Sequence, residues 1–181
     1  ELNEELGIVP EAARPLITVP HHYARHQVTL DVWRVQRYRG TASGREGHTI
    51  QWVAPSALTE YEFPAANYPV ITAARLPDRY LITPEPACRS TFLSTLEARL
   101  AEGIRLVQFR AKTLDHGAYR QLAADIARLC HNYNATWLAN SAPSVALDLD
   151  ADGVHLSAAR LLELKQRPLS DDYWVAASCH N

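Results

Sequence analysis

Three carboxylates stand close together at the start of the chain, in the segment E-L-N-E-E-L-G-I. Read as a helix, this segment places Glu1, Glu4 and Glu5 on one face, at spacings i, i+3 and i+4. Like charges on one turn repel, and this turn has no Lys or Arg to pair with them. A hard divalent cation such as Mg²⁺ or Mn²⁺ would offset the repulsion, and such a cation commonly binds a polyphosphate as well. The alternative is an acidic turn that complements the helix dipole or is simply solvated.

The same segment resembles the second half of the Nudix box, the metal-binding motif of a family of nucleotide pyrophosphohydrolases. The family pattern ends R-E-U-x-E-E-x-G-U, where U is aliphatic, and the chain matches it at Glu1, Leu2, Glu4, Glu5, Gly7 and Ile8. The resemblance implies that Glu1, Glu4 and Glu5 bind Mg²⁺ or Mn²⁺ and that Glu4 acts in catalysis. The first half of the box and any Met are missing from the sequence. We therefore expect the chain to be a piece of a longer protein.

A second segment extends this likeness without a gap. Residues 46–71, EGHTIQWVAPSALTEYEFPAANYPVI, resemble the end of the MutT type of Nudix hydrolase, the 8-oxo-dGTP diphosphatase. The resemblance implies that Glu46 binds metal or acts as the catalytic base, and that Asn67 hydrogen-bonds the oxidised purine. An amide carries both a donor and an acceptor, so Asn67 is suited to read a base edge. Asn67 can equally cap the helix that follows it, and both roles are compatible.

Charge and cysteine content exclude several classes of partner. The net charge is −2, which gives no electrostatic reason to expect nucleic acid or an anionic membrane as a partner. No apolar run approaches a membrane span. The three cysteines lie far apart and lack metal-ligand spacing, which favours a reduced, cytoplasmic location. His21, His22 and His26 fit no zinc pattern and are interpreted as surface or turn residues.

Polar side chains in the later part of the chain follow short apolar runs. If these runs are parallel strands joined by helices, their carboxyl ends meet at one edge of a sheet, where ligands gather in such folds. Two cations and an amide after the second run indicate a phosphate or pyrophosphate site, and the alternative is a solvated strand end. The residues concerned are Gln108, Arg110 and Lys112, then Asn140 and Ser141, then His155, then Ser178 and His180.

Three motifs in this part resemble thiamine-phosphate synthase and its thiazole-tautomerase relatives, which are (βα)8 barrels. The motifs are LVQFRAK, ADGVHL and the terminal ASCHN. The resemblance implies that a phosphorylated thiamine precursor, the pyrimidine pyrophosphate of the synthase, is held by Gln108, Arg110, Lys112, Asn140 and Ser178.

Two departures from the synthase pattern affect the predicted activity. Ser141 and Arg160 stand where the synthase has its two Mg²⁺-binding Asp residues. A hydroxyl is a poor substitute for a carboxylate, and Arg brings positive charge to a cation site, so we predict no synthase activity. The tautomerase branch lacks these ligands too and uses a His after the fifth strand, a position that His180 matches, as a catalytic proton shuttle. A non-catalytic, ligand-binding barrel is equally compatible with these residues.

The elements that must position these residues divide at a polar, Pro-containing stretch, residues 75–79. Residues 1–76 are predicted to be the C-terminal part of an α+β Nudix domain, with strands at 28–35 and 50–53 and a short helix around 70–74. Residues 77–181 are predicted to be the N-terminal part of an α/β (βα)8 TIM-type barrel with about five strands. Those strands are placed at 80–83, 106–110, 136–139, 153–156 and 174–177, with helices at 89–102, 115–134, 144–147 and 158–165.

The leading functional prediction is hydrolysis of oxidised purine nucleoside triphosphates, above all 8-oxo-dGTP, to monophosphate and pyrophosphate by the full-length parent. The predicted cofactor is Mg²⁺ or Mn²⁺, held by Glu1, Glu4, Glu5 and Glu46. The alternative is a thiamine-pathway enzyme, a tautomerase or a synthase, or a barrel that only binds a phosphorylated ligand.

Overall fold

A computed structural model of the chain describes residues 2–23, 26–45, 47 and 49–179. The chain forms two compact units, Glu1–Leu76 and Pro77–Asn181, which are described separately below as unit 1 and unit 2. The sequence predictions for Glu1, Glu46 and His180 lie outside the described residues.

Unit 1 is built on a long antiparallel hairpin. A short helix, α1 (Leu2–Glu5), precedes strands β1 (Val9–His22) and β2 (Gln27–Arg39). Two 3-10 turns, Pro55–Glu60 and Ala65–Asn67, then lead into helix α2 (Tyr68–Arg75). The register of the hairpin shifts between Pro10 and Ala12 and again between Pro15 and Ile17. Irregularities of this kind let a strand accommodate Pro, which cannot donate to the ladder.

The strand predicted at residues 50–53 is not formed. This stretch is extended but pairs with no strand among the described residues. Trp52 is 73% exposed and stacks on Tyr38 of β2 with ring centroids 6.3 Å apart. The apolar residues of this stretch therefore include one that makes an aromatic contact at the surface, and the prediction of a strand was wrong.

Unit 2 is a five-stranded parallel sheet in the order β3-β4-β5-β6-β7. Its strands are β3 (Leu81–Ile82), β4 (Leu106–Phe109), β5 (Thr136–Ala139), β6 (Gly153–Leu156) and β7 (Trp174–Ala177). Its helices are α3 (Arg89–Ala101), α4 (His116–Asn132), α5 (Pro143–Asp148) and α6 (Ala158–Glu163). The predicted parallel α/β sheet is confirmed, and a closed barrel is not present in the part of the chain that the structure describes.

The core of unit 2 lies between the sheet and its helices. Phe92, Leu96 and Leu100 recur at helical spacing along α3 and are buried. Phe109 of β4 stacks on Tyr119 of α4 with ring centroids 4.6 Å apart. Because side chains alternate along a strand, the residues between these core positions face the other side of the sheet. We call that side the inner face, and it carries Gln108, Leu138 and His155, which the helix-side core cluster does not include.

The close approach of β6 and β7 requires glycine at position 153. A Cβ atom added to Gly153 would lie 2.0 Å from the carbonyl oxygen of Trp174 on the neighbouring strand. Only Gly allows β6 and β7 to pair at this point. No described helix is both long enough and apolar enough to cross a lipid bilayer.

Asp125 is a buried carboxylate held by two arginines on α3 and α4. Its side chain accepts hydrogen bonds from Arg89, whose Nε lies 2.8 Å away, and from Arg128. An Asp125→Asn variant is expected to lower the free energy of unfolding by about 1 to 3 kcal/mol, because charge-assisted hydrogen bonds are lost. Urea denaturation measures this. Asp171→Asn, which alters a carboxylate whose side chain is 100% exposed, is the control and is expected to change little. Equal losses in both variants would contradict the assigned role of Asp125.

Candidate functional site

The carboxyl ends of β3, β4 and β5 are tied together by hydrogen bonds in unit 2. The amide of Thr83 donates to the Gln108 carbonyl over 3.0 Å, and the amide of Arg110 donates to the Thr83 hydroxyl over 3.0 Å. The Asn140 amide donates to the Phe109 carbonyl over 2.9 Å. This edge therefore brings Gln108, near the end of β4, together with Arg110 and Asn140, which follow β4 and β5.

Tyr80, His155 and Ser178 form a hydrogen-bonded chain across the inner face. Tyr80 Oη lies 3.0 Å from His155 Nδ1, and His155 Nε2 lies 3.0 Å from Ser178 Oγ. Burial lowers the pKa of His155 and raises the pKa of Tyr80, so both side chains are held neutral. The chain of contacts fixes the imidazole ring and orients the Ser178 hydroxyl.

The pKa of His155 predicts how stability changes with pH. Burial lowers the pKa in the folded protein below the ordinary value of 6.5, so the unfolded chain takes up the proton first. The free energy of unfolding should therefore fall as the pH drops through about 6.5, until the lower folded pKa is reached. Urea denaturation at several pH values between 7 and about 5 tests this, over the window that the direction of the shift sets.

His155→Gln should flatten this pH dependence. His116→Gln, at an exposed position at the start of α4, is the matched control and should keep the wild-type slope. If His155→Gln has the same slope as wild type, His155 does not cause the loss of stability.

Gln108 presents a buried acceptor on the inner face, near the carboxyl end of β4. The residue is 3% exposed, and its Oε1 has no hydrogen-bond partner among the described residues. A buried acceptor without a partner costs free energy, so such atoms in native proteins normally have a ligand, a water or a functional reason. A ligand N–H or O–H donor at this position would satisfy Oε1.

Asn140 and Ser178 are both anchored by β6. The Asn140 side chain donates from Nδ2 to the His155 carbonyl over 2.9 Å, and the Ser178 amide donates to the Leu156 carbonyl over 2.9 Å. Asn140 therefore supports the strand end with its amide nitrogen. The structure brings Asn140, Ser178 and Gln108 to one edge, while their roles as ligand contacts stay a prediction.

Glu85 is an acidic residue near the two predicted phosphate-binding cations. Its carboxylate accepts the backbone amides of Lys112 and Thr113 at 3.0 and 2.9 Å and the Thr113 hydroxyl at 2.6 Å. The Lys112 amide makes the largest contribution to a lowered pKa of Glu85, and the charge of Arg110 contributes as well. Glu85 therefore stays ionised and is engaged in holding the loop that carries Lys112.

The Ser141 side chain is next to the hydroxyl of Tyr119, and the charge of Arg160 acts on the same hydroxyl. Tyr119 is 9% exposed, and its Oη lacks a hydrogen bond of normal geometry within the described ranges, although the Ser141 side chain is adjacent. Burial raises the pKa of Tyr119 to about 12, and the nearby Ser141 hydroxyl and Arg160 charge partly oppose this. The two positions that carry Asp in the synthase pattern thus hold a hydroxyl, at Ser141, and a guanidinium, at Arg160.

The donor set at this edge does not fit the Mg²⁺ that the synthase family implies. Residues 2–23, 26–45, 47 and 49–179 contain no group of three or more His, Cys, Asp and Glu side chains that would hold a metal. Arg160 would repel a divalent cation, and the Glu85 carboxylate is engaged by the loop.

The predicted carboxylate cluster in unit 1 is described only in part. Glu4 and Glu5 lie on α1 and are exposed. The amide of Arg45 donates to the Glu5 carbonyl over 2.9 Å, and Arg45 Nη1 donates to the Asn3 carbonyl over 3.1 Å. The chain turns after α1 at Gly7, which has a φ of +72° and where a Cβ would lie 2.8 Å from Arg45 Nη2. The carboxylate oxygens of Glu4 and Glu5 are suitable donors for a hard divalent cation.

Asn67 occupies the N-cap position of α2. Its side chain makes no capping hydrogen bond within the described residues. The prediction that Asn67 caps this helix is therefore correct for its position, but the expected hydrogen bond is not formed. The residue is half-buried and its backbone amide donates to the Pro64 carbonyl over 2.8 Å. The amide side chain is thus not used by the helix, and its role in reading a base stays a prediction.

Comparison with known proteins identifies two family models along the chain. Residues 79–181 match the model described as thiamine monophosphate synthase, and residues 1–73 match a NUDIX domain. A thiamine-phosphate synthase from Nitrosospira multiformis is 36% identical over 109 residues, which is 56% of this chain and 44% of that protein. A putative thiamine-phosphate synthase 2 from Aquifex aeolicus is 34% identical over 106 residues, which is 59% of this chain and 57% of that protein.

A thiamine-phosphate synthase from Nostoc sp. is 42% identical over 77 residues, covering 42% of this chain and 21% of that protein. The chain therefore spans between 21% and 57% of the length of these three curated relatives.

Proposed function

We propose that the parent protein is a hydrolase of purine nucleoside triphosphates with a ligand-binding barrel attached. This chain belongs to the thiamine monophosphate synthase family, and it carries a NUDIX domain ahead of that region. The reaction proposed for the NUDIX domain is attack of water at a phosphorus of the triphosphate, which yields a monophosphate and pyrophosphate. The proposed substrate is an oxidised purine nucleotide, with 8-oxo-dGTP preferred.

The observation that carries the hydrolase proposal is the presentation of Glu4 and Glu5 on α1. Hydrogen bonds from Arg45 to the carbonyls of Asn3 and Glu5 hold the end of this helix. The two exposed carboxylates therefore lie on an ordered turn. Glu4 and Glu5 would hold Mg²⁺ or Mn²⁺, and Glu1 and Glu46 complete the proposed set. When bound, the metal supplies charge neutralisation for the polyphosphate. Asn67 is proposed to recognise the oxidised purine with its amide donor and acceptor.

The test compares pyrophosphate release from 8-oxo-dGTP and from dGTP by the full-length parent in the presence of Mg²⁺. We expect release from both, with a higher kcat/KM for the oxidised nucleotide. An Asn67→Ala variant should reduce this preference while keeping hydrolysis of dGTP, because only recognition of the base is lost. Absence of release from either nucleotide would reject the hydrolase proposal.

The second candidate function is binding of a phosphorylated thiamine precursor in unit 2, and Gln108 Oε1 favours it. This buried acceptor needs a donor, which the amino group of an aminopyrimidine would supply. Arg110, Lys112, Asn140 and Ser178 are the further proposed contacts, with His180 as the proposed proton shuttle if the barrel catalyses tautomerisation. Titration of the parent with thiamine monophosphate tests binding, which Arg110→Ala should weaken. Undetectable binding would reject this candidate.

A further inference from the structure

Two hydroxyl groups on the inner face of unit 2 are connected through one imidazole ring. Tyr80 precedes β3, His155 lies in β6, and Ser178 follows β7. Tyr80 Oη lies 3.0 Å from Nδ1 of His155, and Nε2 of the same ring lies 3.0 Å from Ser178 Oγ. Among the described residues, neither hydroxyl makes a second hydrogen bond. The direction of proton donation along this chain is therefore decided at the ring.

A neutral imidazole carries one N–H group, so the chain can run in two directions only. His155 is 8% exposed, and burial lowers its pKa, which favours the neutral ring. In the first arrangement, Tyr80 donates to Nδ1, Nε2–H donates to Ser178, and the serine proton is free. In the second arrangement, Ser178 donates to Nε2, Nδ1–H donates to Tyr80, and the phenol proton is free.

The chemistry of the two hydroxyls favours the first arrangement. A phenol is more acidic than an aliphatic alcohol and is the stronger donor, whereas its oxygen is the weaker acceptor because a lone pair is delocalised into the ring. Burial raises the pKa of Tyr80 and so keeps the proton on its oxygen, available to donate. Tyr80 is therefore the better donor to the imidazole, and Ser178 is the better acceptor from it.

We propose that Tyr80 is a positioning residue that holds His155 as the Nε2–H tautomer, and that Ser178 thereby faces the ligand as a hydrogen-bond donor. The Ser178 amide donates to the Leu156 carbonyl over 2.9 Å, which holds the residue at the carboxyl edge where parallel sheets bind ligands. A hydroxyl committed to donating selects an acceptor, and the ionised oxygens of a phosphate group are strong acceptors. This inference deepens, and rests on, the binding of a phosphorylated thiamine precursor proposed for unit 2.

The first test is NMR spectroscopy of the full-length parent, labelled with ¹⁵N at histidine and measured without ligand at neutral pH. Two-bond ¹H–¹⁵N correlations show which ring nitrogen carries the proton, and a His155→Gln variant identifies the signals of His155. We expect the Nε2–H tautomer in wild type. Tyr80→Phe removes the donor to Nδ1 and should raise the population of the Nδ1–H tautomer.

Calorimetric titration with thiamine monophosphate then tests whether Tyr80 acts through Ser178. This compound has no phosphoanhydride bond, so the hydrolysis proposed for the NUDIX domain does not consume it. Tyr80→Phe should weaken binding by about threefold to tenfold, and Ser178→Ala by about tenfold, as for loss of one hydrogen bond. The double variant should bind no more weakly than Ser178→Ala, because both changes remove the same interaction. Binding of thiamine, which lacks the phosphate, should be unchanged in all three variants.

The matched control is Tyr133→Phe, which removes a phenolic hydroxyl at the end of α4, where it lies 3.5 Å from a Glu97 carboxylate oxygen. This variant should keep the tautomer and the Kd of wild type. An Nδ1–H tautomer in wild type, a tautomer that Tyr80→Phe leaves unchanged, or additive losses in the double variant would overturn the inference.

Failure of the proposed ligand can be told apart from failure of this inference. If wild type binds no thiamine monophosphate, the proposed ligand and the donor role of Ser178 fail together. The NMR result is obtained without ligand, so it still decides whether Tyr80 sets the tautomer of His155.

Discussion

A Glu4→Gln variant of the parent protein is expected to release pyrophosphate from 8-oxo-dGTP about a hundredfold more slowly than wild type. The substitution keeps the shape of the exposed side chain but removes one negative charge from the proposed metal-binding face of α1. Groups that stabilise charge in a transition state typically contribute about 10² to 10³ in kcat when a single one is removed. The measurement is initial velocity against nucleotide concentration at saturating Mg²⁺, so that kcat and KM are obtained separately.

The matched control for this experiment is Glu60→Gln in the same unit. Glu60 is also exposed and ends the first 3-10 turn, away from α1 in sequence. It should retain wild-type kcat. If Glu4→Gln also retains wild-type kcat, Glu4 has no catalytic role in the NUDIX domain, and any activity must depend on other carboxylates.

Replacing Gln108 by Met is expected to change ligand affinity and protein stability in opposite directions. Met has nearly the same length and shape as Gln, but it removes the buried acceptor that lacks a partner within the described part of unit 2. The free energy of unfolding should stay the same or rise by up to about 1 to 2 kcal/mol, because the cost of an unmet polar atom is removed. Affinity for thiamine monophosphate should fall by about tenfold or more, because a ligand donor then loses its acceptor.

Urea denaturation and calorimetric titration measure the two effects on the same variant. Leu138→Met is the matched control, because Leu138 is the register neighbour of Gln108 on β5 and is also buried. It should leave affinity unchanged and cost less than about 1.5 kcal/mol of stability. If Gln108→Met loses stability and keeps its affinity, Gln108 is a structural residue rather than a ligand contact.

The elements of unit 2 follow from its sequence because each carries its own local signal. Strands β5, β6 and β7 begin and end where the apolar runs predict them. Asp115 caps α4 as its side-chain chemistry predicts, with the hydrogen bond to Ala118 formed. Parallel strands buried on both faces give continuous apolar runs, and amphipathic helices give a repeat near 3.6, so the two are easy to distinguish.

Unit 1 was less predictable because pairing across a hairpin is not a local property. The strands β1 and β2 are 14 and 13 residues long, and β1 includes Pro10 and Pro15, which by themselves favour a loop. Bulges in the ladder accommodate them, and a bulge has no strong signal in one sequence. The wrong prediction of a strand at 50–53 has the opposite cause, since residues with high strand propensity there pair with no strand in the described part of the chain.

The sequence also located the edge of unit 2 without predicting how its groups interact. The positions of the apolar runs predict Gln108, Arg110, Asn140 and Ser178 at this edge. The same runs do not indicate Tyr80, since its hydrogen bond to His155 spans 75 positions in the chain and depends on which face each strand presents. Strand alternation from the core residue Leu81 would have placed Tyr80 on the inner face, and this was the available signal.

The carboxylate of Glu85 also has a consequence for how fast a ligand can bind. It fixes the backbone at Lys112 and Thr113 in the folded protein, before a ligand arrives. Ordering one residue of a loop costs roughly 1 to 2 kcal/mol of conformational entropy, and here folding has already met that cost for both residues. Association at this edge should therefore be a single bimolecular step, with an observed rate that rises linearly with ligand concentration and shows no slow loop-closing phase.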